Sequence, residues 1–313
     1  MGCCGSSLAS DDQIKDMCKW SCRQMMTLLC DHALVLAADQ SHLQIPIPKE
    51  MGDLRSIPKD LRKAAADNSS QVSTVADGIA KQADSILGSA FGAFIGKATG
   101  FAAEAAGSAG KKVYGGLADQ MDSILDQLDR RFSQLGAELC AAKQSEMRSV
   151  LQNAIERCTF RDAHGLVRGP KLDYRGPVDA LTVEFFRLSR EALQQSLAAI
   201  VQEYMQKMRF MIIWEGLIEK VNASNQALTS VLMTKPKEGI KLDLNSYVVN
   251  QVLDKLYAMM QVHEGELRSA PRAAELPGTF ALCFSREPFS NVAYEQFSKD
   301  AELQAKVSGV QSL

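Results

Sequence analysis

Apolar residues along this 313-residue chain recur three and four positions apart, the period of helices that bury one face. The first such run covers residues 11–40, where Ile14, Met17, Cys18, Met25, Leu28 and Leu29 follow a candidate cap at Asp11 or Asp12. Ile45-Pro46-Ile47-Pro48 interrupts it, and an extended segment is predicted because each proline disfavours the α conformation in the residue before it. Residues 54–87 predict one or two further helices, with Pro58 near a helix start. Over 117–158, Met121, Leu125, Leu128, Phe132, Leu135, Leu139 and Ala142 alternate four and three apart as a heptad seam. This seam favours one long amphipathic helix in a bundle over a dimeric coiled coil. Residues 160–178 hold three glycines and two prolines and predict a loop. Helical periodicity returns over 178–221, with a break near Arg209, and again over 244–268. A tail carrying Pro277 and Pro288 ends in a short, weakly periodic helix at 291–308. No alternating strand pattern is present. The expected fold is all-α: a multi-helix bundle with a long amphipathic helical hairpin and a Gly/Ala-rich helical segment. The expected organisation is an anchor segment at 1–10, one helical domain at 11–275 and a tail at 276–313.

Within that domain the composition shifts at 88–116, where Gly, Ala and Ser dominate. Gly88, Gly92, Gly96 and Gly100 stand four apart, so on a helix they form a nearly straight small-residue stripe that allows close backbone approach. The longest uncharged run, Ser85 to Gly96, is twelve residues, short of the roughly 20 that a spanning helix needs. Three readings fit: a helix packed closely on its neighbour, a segment touching the bilayer interface, or a flexible linker. The last gains weight because each helical glycine costs about 1 kcal/mol.

Charge and composition exclude more than they select. The chain carries 35 basic and 37 acidic residues, a formal −2, which gives no reason to expect a nucleic-acid partner. Eight cysteines in a chain of this length do not form a disulfide framework. Dinucleotide, P-loop, serine-hydrolase and zinc-protease motifs are all missing from the sequence. Cys18, Cys22, Cys30 and His32 are the best metal candidates, but their spacing fits no common zinc module, and helical cysteines are ordinarily small buried apolar residues. His263, Glu264, Glu266 and Arg268 read as a solvated charged face, and Trp20 and Trp214 as core residues. No catalytic residue, cofactor or metal is expected.

The opening Met1-Gly2-Cys3-Cys4-Gly5-Ser6 carries a more specific signal. Gly2 becomes the amino terminus after Met1 is removed, and Ser6 completes the N-myristoylation pattern. A single myristoyl chain binds membranes with an association constant of only about 10⁴ M⁻¹, so a second signal is needed. The charges that follow begin with Asp11 and Asp12 and make no polybasic patch, which leaves palmitate on Cys3, Cys4 or both. No apolar signal-peptide core follows. The expectation is a eukaryotic protein on the cytoplasmic face of the plasma membrane, or of a flagellar or ciliary membrane.

The stretch from Asp243 to Pro271 resembles the C-terminal signature of the bacterial domain of unknown function 4197 family. Tyr247, Val248, Leu253, Asp254, Leu256, Tyr257, Met260, Glu264, Leu267, Arg268 and Pro271 stand in register with it. Ile45-Pro46-Ile47-Pro48 is similar to an early motif of that family, and Phe185-Phe186-Arg187 with Glu191-Ala192-Leu193 and Ile200-Val201 to its central helix, so the resemblance runs over roughly 40–275. Gln251, Lys255, Val262 and His263 depart from the pattern. The resemblance implies a helical fold and supplies no reaction. Together the anchor and the amphipathic helices lead to a non-enzymatic membrane scaffold or adaptor with unidentified protein partners. The alternative is a lipid-binding or lipid-shuttling bundle, suggested by the Gly/Ala stripe and 13 methionines.

Overall fold

A computed structural model describes residues 8–39, 41–67, 109–168, 179–232, 242–269 and 294–299, and the regular elements among them are helices. The helix α1 spans Asp11–Ala37. Its N-cap is Ser10 rather than Asp11 or Asp12: the extended Ser10 accepts from the Gln13 N–H through Oγ, and the Gln13 side chain accepts from the Ser10 N–H. This reciprocal capping box satisfies two otherwise orphaned donors and leaves both aspartates in the first turn, where they oppose the helix dipole.

Residues 43–48 are non-helical, as the two prolines require, and lead into α2 (Lys49–Leu54) and α3 (Ser56–Asp67). Pro58 is the third residue of α3, where a missing N–H costs no intrahelical bond. The heptad seam lies on α4 (Ala109–Ala142), and Met121, Leu125, Leu128, Phe132, Leu135 and Leu139 are all buried; Ala142 is exposed. Lys143, at φ −119° and ψ 21°, separates α4 from α5 (Gln144–Arg157), dividing the predicted single helix into two.

The predicted loop at 160–178 contains a helix, α6 (Ala163–Arg168). Its start is local chemistry, since the Asp162 carboxylate accepts from the Gly165 N–H at 2.9 Å. A Cβ on Gly165 would overlap that carboxylate, so the glycine that suggested a loop is what lets the cap close. The helices α7 (Ala180–Lys207) and α8 (Phe210–Leu232) are separated where the break was expected. Arg209 there is left-handed at φ 55°, the conformation that commonly ends helices. The last long helix, α9, spans Leu244–Ser269, and residues 294–299 form a short helix. No described helix is long and apolar enough to cross a membrane.

The chain divides into two compact units, one of residues 1–43, 136–201 and 248–313, the other of residues 44–135 and 202–247. In the first, α1 packs on α5 and α6. Met17, Cys18, Cys22, Met25, Met26 and Leu29 give α1 a fully buried face. Trp20 meets Phe297 edge-on at 5.3 Å, and Phe186 meets Tyr257 at 4.8 Å. In the second unit α8 packs on α3. Its centre is Phe132, surrounded by Phe210 at 5.0 Å, Tyr247 at 6.4 Å and Trp214 at 6.5 Å, all edge-to-face. Each such aromatic pair adds about 0.5–1.5 kcal/mol to the area it buries. The Tyr247 hydroxyl donates to the Pro46 carbonyl at 2.7 Å, which ties the Ile-Pro-Ile-Pro segment to the start of α9.

Candidate functional site

Glu264 is fully buried in the first unit, so the solvated charged face expected at this end of α9 is not what forms. Its carboxylate accepts from the Leu181 N–H at 3.1 Å, the Thr182 N–H at 2.7 Å and the Thr182 hydroxyl at 2.6 Å. These backbone donors belong to the first turn of α7, where no intrahelical acceptor exists. Arg268, one turn further along α9, donates to the same carboxylate at 2.7 Å. Its guanidinium also reaches the carbonyls of Leu166 at 2.7 Å and Val167 at 3.3 Å, in the last turn of α6.

One ion pair on α9 therefore caps two other helices at once. The anion meets the positive end of α7 and the cation the negative end of α6, the favourable sense at both ends. Burial makes the pair costly to break, because removing either partner strands the other charge out of water. Asp179, beside the α7 N-terminus, accepts from Gln261 at 2.5 Å, and Gln261 also reaches the Tyr257 hydroxyl at 3.0 Å. The signal was present in the sequence: Glu264 falls on the stripe Leu253, Leu256, Met260, Leu267, each buried. A carboxylate on such a stripe must find donors inside the protein.

His263 has a different role from its neighbour. Its ring stacks on His32 of α1, with centroids 3.6 Å apart and planes 12° from parallel, and its Nδ1 lies 3.1 Å from Glu266. Burial, and then the adjacent His263, hold His32 below the ordinary histidine range, while Glu266 opposes them. Nearby, burial pushes the Cys30 thiol up, reinforced by Asp31 and Cys158. Burial also pushes Cys140 up to about 12. Thiols so shifted are poor nucleophiles and poor metal ligands, since both tasks need the thiolate. Cys18, Cys22 and Cys30 are buried and form no disulfide among the described residues. The Cys22 thiol approaches the Ala163 carbonyl at 3.8 Å. Among the described residues no cluster of His, Cys, Asp and Glu is arranged to hold a metal.

The first unit also carries a cleft of about 380 Å³, between the C-terminal half of α5, residues 158–161 and the middle of α7. Arg157, Cys158 and Arg161 are among the residues that line it. Gly2, Cys3 and Cys4 lie outside the described residues, as do Gly88, Gly92, Gly96 and Gly100 of the small-residue stripe.

No curated protein and no solved structure matches the chain. A family match begins at residue 104, so the Ile45–Pro48 motif lies outside it, whereas the central helix motif and the whole of α9 lie within. The Glu264–Arg268 clasp is built from two of the signature positions. With residues 104–277 matched, more than half its length, the chain belongs to the family described as Protein of unknown function (DUF4197).

Proposed function

We propose that this protein is a non-enzymatic adaptor, held on the cytoplasmic leaflet of a membrane by a myristoyl chain on Gly2 and palmitate on Cys3, Cys4 or both. The observation that carries the reading is the Gly2-Cys3-Cys4 sequence with Ser6, followed by no basic patch. The position of α1 supports it. Residues 2–10 span at most about 30 Å when fully extended, and at Asp11 the chain enters a capped helix whose apolar face is buried. Acyl chains on that tether would hold the first unit close to the headgroups. The non-enzymatic part rests on how the buried polar groups are used: Glu264 and Arg268 spend their bonding capacity on each other and on helix ends.

On this reading the plasma membrane, including its flagellar or ciliary extension, is the address, and protein partners are recruited there. Proximity labelling with wild-type and Gly2→Ala chains tests it. Distinct neighbours, with membrane proteins lost from the Gly2→Ala set, are expected; identical neighbours would rule out recruitment at a membrane. The lipid-binding alternative is favoured by one observation only, the cleft between α5 and α7.

A further inference from the structure

The charged side chains that line the cleft are cationic, on a chain of net charge −2. Arg157 and Arg161 line it and no Asp or Glu does. Both arginines are exposed, and neither has a hydrogen-bond or ion-pair partner among the described residues. Glu184, which lies within electrostatic range of Arg161, is already held by Arg187 through two bonds of 2.7 Å. Glu184 is kept below the usual carboxylate range by that pairing first, and then by Arg187 and Arg161 acting at a distance. At the lining Cys158, burial raises the thiol first, the negative charge of Glu184 adds to that, and Arg23 of α1 opposes both. The rest of the lining is mixed, with Ala154, Leu188 and Leu193 apolar and Asn153, Thr159 and Ser196 polar. Leu188 is 40% exposed, high for a large aliphatic side chain.

Two guanidiniums and several aliphatic side chains in one cleft match an amphiphile with a compact anionic head. The planar donors of arginine suit phosphate oxygens in pairs, and phosphate contacts of this kind are stronger than neutral ones. The cleft is at the small end of ligand sites, which run from about 300 to 1,000 Å³. Its volume suits a headgroup and the first methylenes rather than a whole diacyl lipid.

We propose that the α5–α7 cleft binds the phosphate of an anionic lipid, with Arg157 and Arg161 on the phosphate oxygens and Leu188 and Leu193 against the first part of the chain. The site does not depend on the acyl anchor. It would give a membrane-held protein a second, headgroup-selective contact with an anionic leaflet.

Calorimetric titration of the purified full-length chain tests this with three probes: dioctanoyl phosphatidic acid below its micellar concentration, dioctanoylglycerol and inorganic phosphate. One equivalent of the phosphatidate is expected to bind. The glycerolipid should not bind, and inorganic phosphate should bind about tenfold or more weakly because it lacks the apolar contact. The Arg157→Gln/Arg161→Gln chain should lose about tenfold or more in phosphatidate affinity with its helical circular dichroism unchanged. Leu188→Glu, which places a carboxylate on an exposed part of the lining, should lose as much. No phosphatidate binding, or undiminished binding by both variants, would overturn the proposal. Inorganic phosphate binding as tightly as the lipid would make this a soluble-anion site and overturn the lipid assignment. The Gly2→Ala chain should behave as wild type; binding lost there would move the contact to the anchor and away from the cleft.

Discussion

Removing the Glu264 carboxylate leaves two backbone N–H groups of α7 without an acceptor and the guanidinium of Arg268 without its anion. Glu264→Ala should therefore destabilise the protein by about 3–5 kcal/mol, the range for breaking a buried pair from one side. The effect of Arg268→Ala should be less than additive with it, because each variant destroys the same interaction. Urea unfolding of the two single variants and the double variant measures this, and a loss under about 0.5 kcal/mol for Glu264→Ala would place that carboxylate in water. The His32–His263 stack makes a separate prediction. His32 in the folded chain sits below its ordinary value of 6.5, so the unfolded chain takes up the proton first as pH falls. Its contribution is complete above about pH 6.5 and is lost progressively as pH drops from there toward the folded value. Unfolding midpoints between pH 8 and pH 5 should decline less steeply in His32→Gln than in wild type; equal slopes would remove the stack from the pH response. Neither role was legible from single residues. Glu264 and His263 are adjacent and polar; the apolar stripe of α9 turns Glu264 inward, and the partners brought by α1 and α7 make one a buried clasp and the other a half-buried ring.

Helix ends decide the next level. Arg209 takes a left-handed conformation that costs an L-residue with a Cβ about 1–2 kcal/mol and costs glycine nothing sterically. Arg209→Gly should stabilise the chain by about 1 kcal/mol, read from the same denaturant curves, and a loss of stability would mean that the Arg209 side chain matters more than its backbone. Ser10→Ala should cost about 1 kcal/mol by opening the capping box of α1. Aspartate at 11 would have to take over the cap for that substitution to be silent. The long elements were readable because their apolar period persists over several turns, as in the seam from Met121 to Leu139. The break at Arg209 was readable for the same reason, since the pattern loses phase there. The six-residue α6 was not, because it is shorter than two turns and carries a glycine. Its cap by Asp162 and its closure by Arg268 are one local and one distant contact, and periodicity reports neither. The Ser10 cap was within reach, since Gln13 completes a capping box from Ser10 and not from either aspartate.

At the scale of the whole molecule, the helical period of the apolar residues placed the chain among all-α proteins. The family signature on α9 agrees with residues 104–277. What composition could not convey is the division into two units, each assembled from separated stretches of chain. Such pairing is set by which faces meet, as when Tyr247 reaches back to Pro46 across two hundred positions of sequence. Nor does the chain's near-neutral charge disclose the positive cleft, because two arginines vanish in a balance of 35 against 37. On the proposed reading, attachment at Gly2, Cys3 and Cys4 defines where this helical protein works. Membrane fractionation and imaging of a C-terminally tagged chain beside Gly2→Ala and Cys3→Ser/Cys4→Ser forms tests it most directly. Wild type should pellet with membranes and both variants should turn soluble, since one acyl signal alone holds only marginally. A wild-type chain that stays soluble, or variants that remain on the membrane, would contradict it.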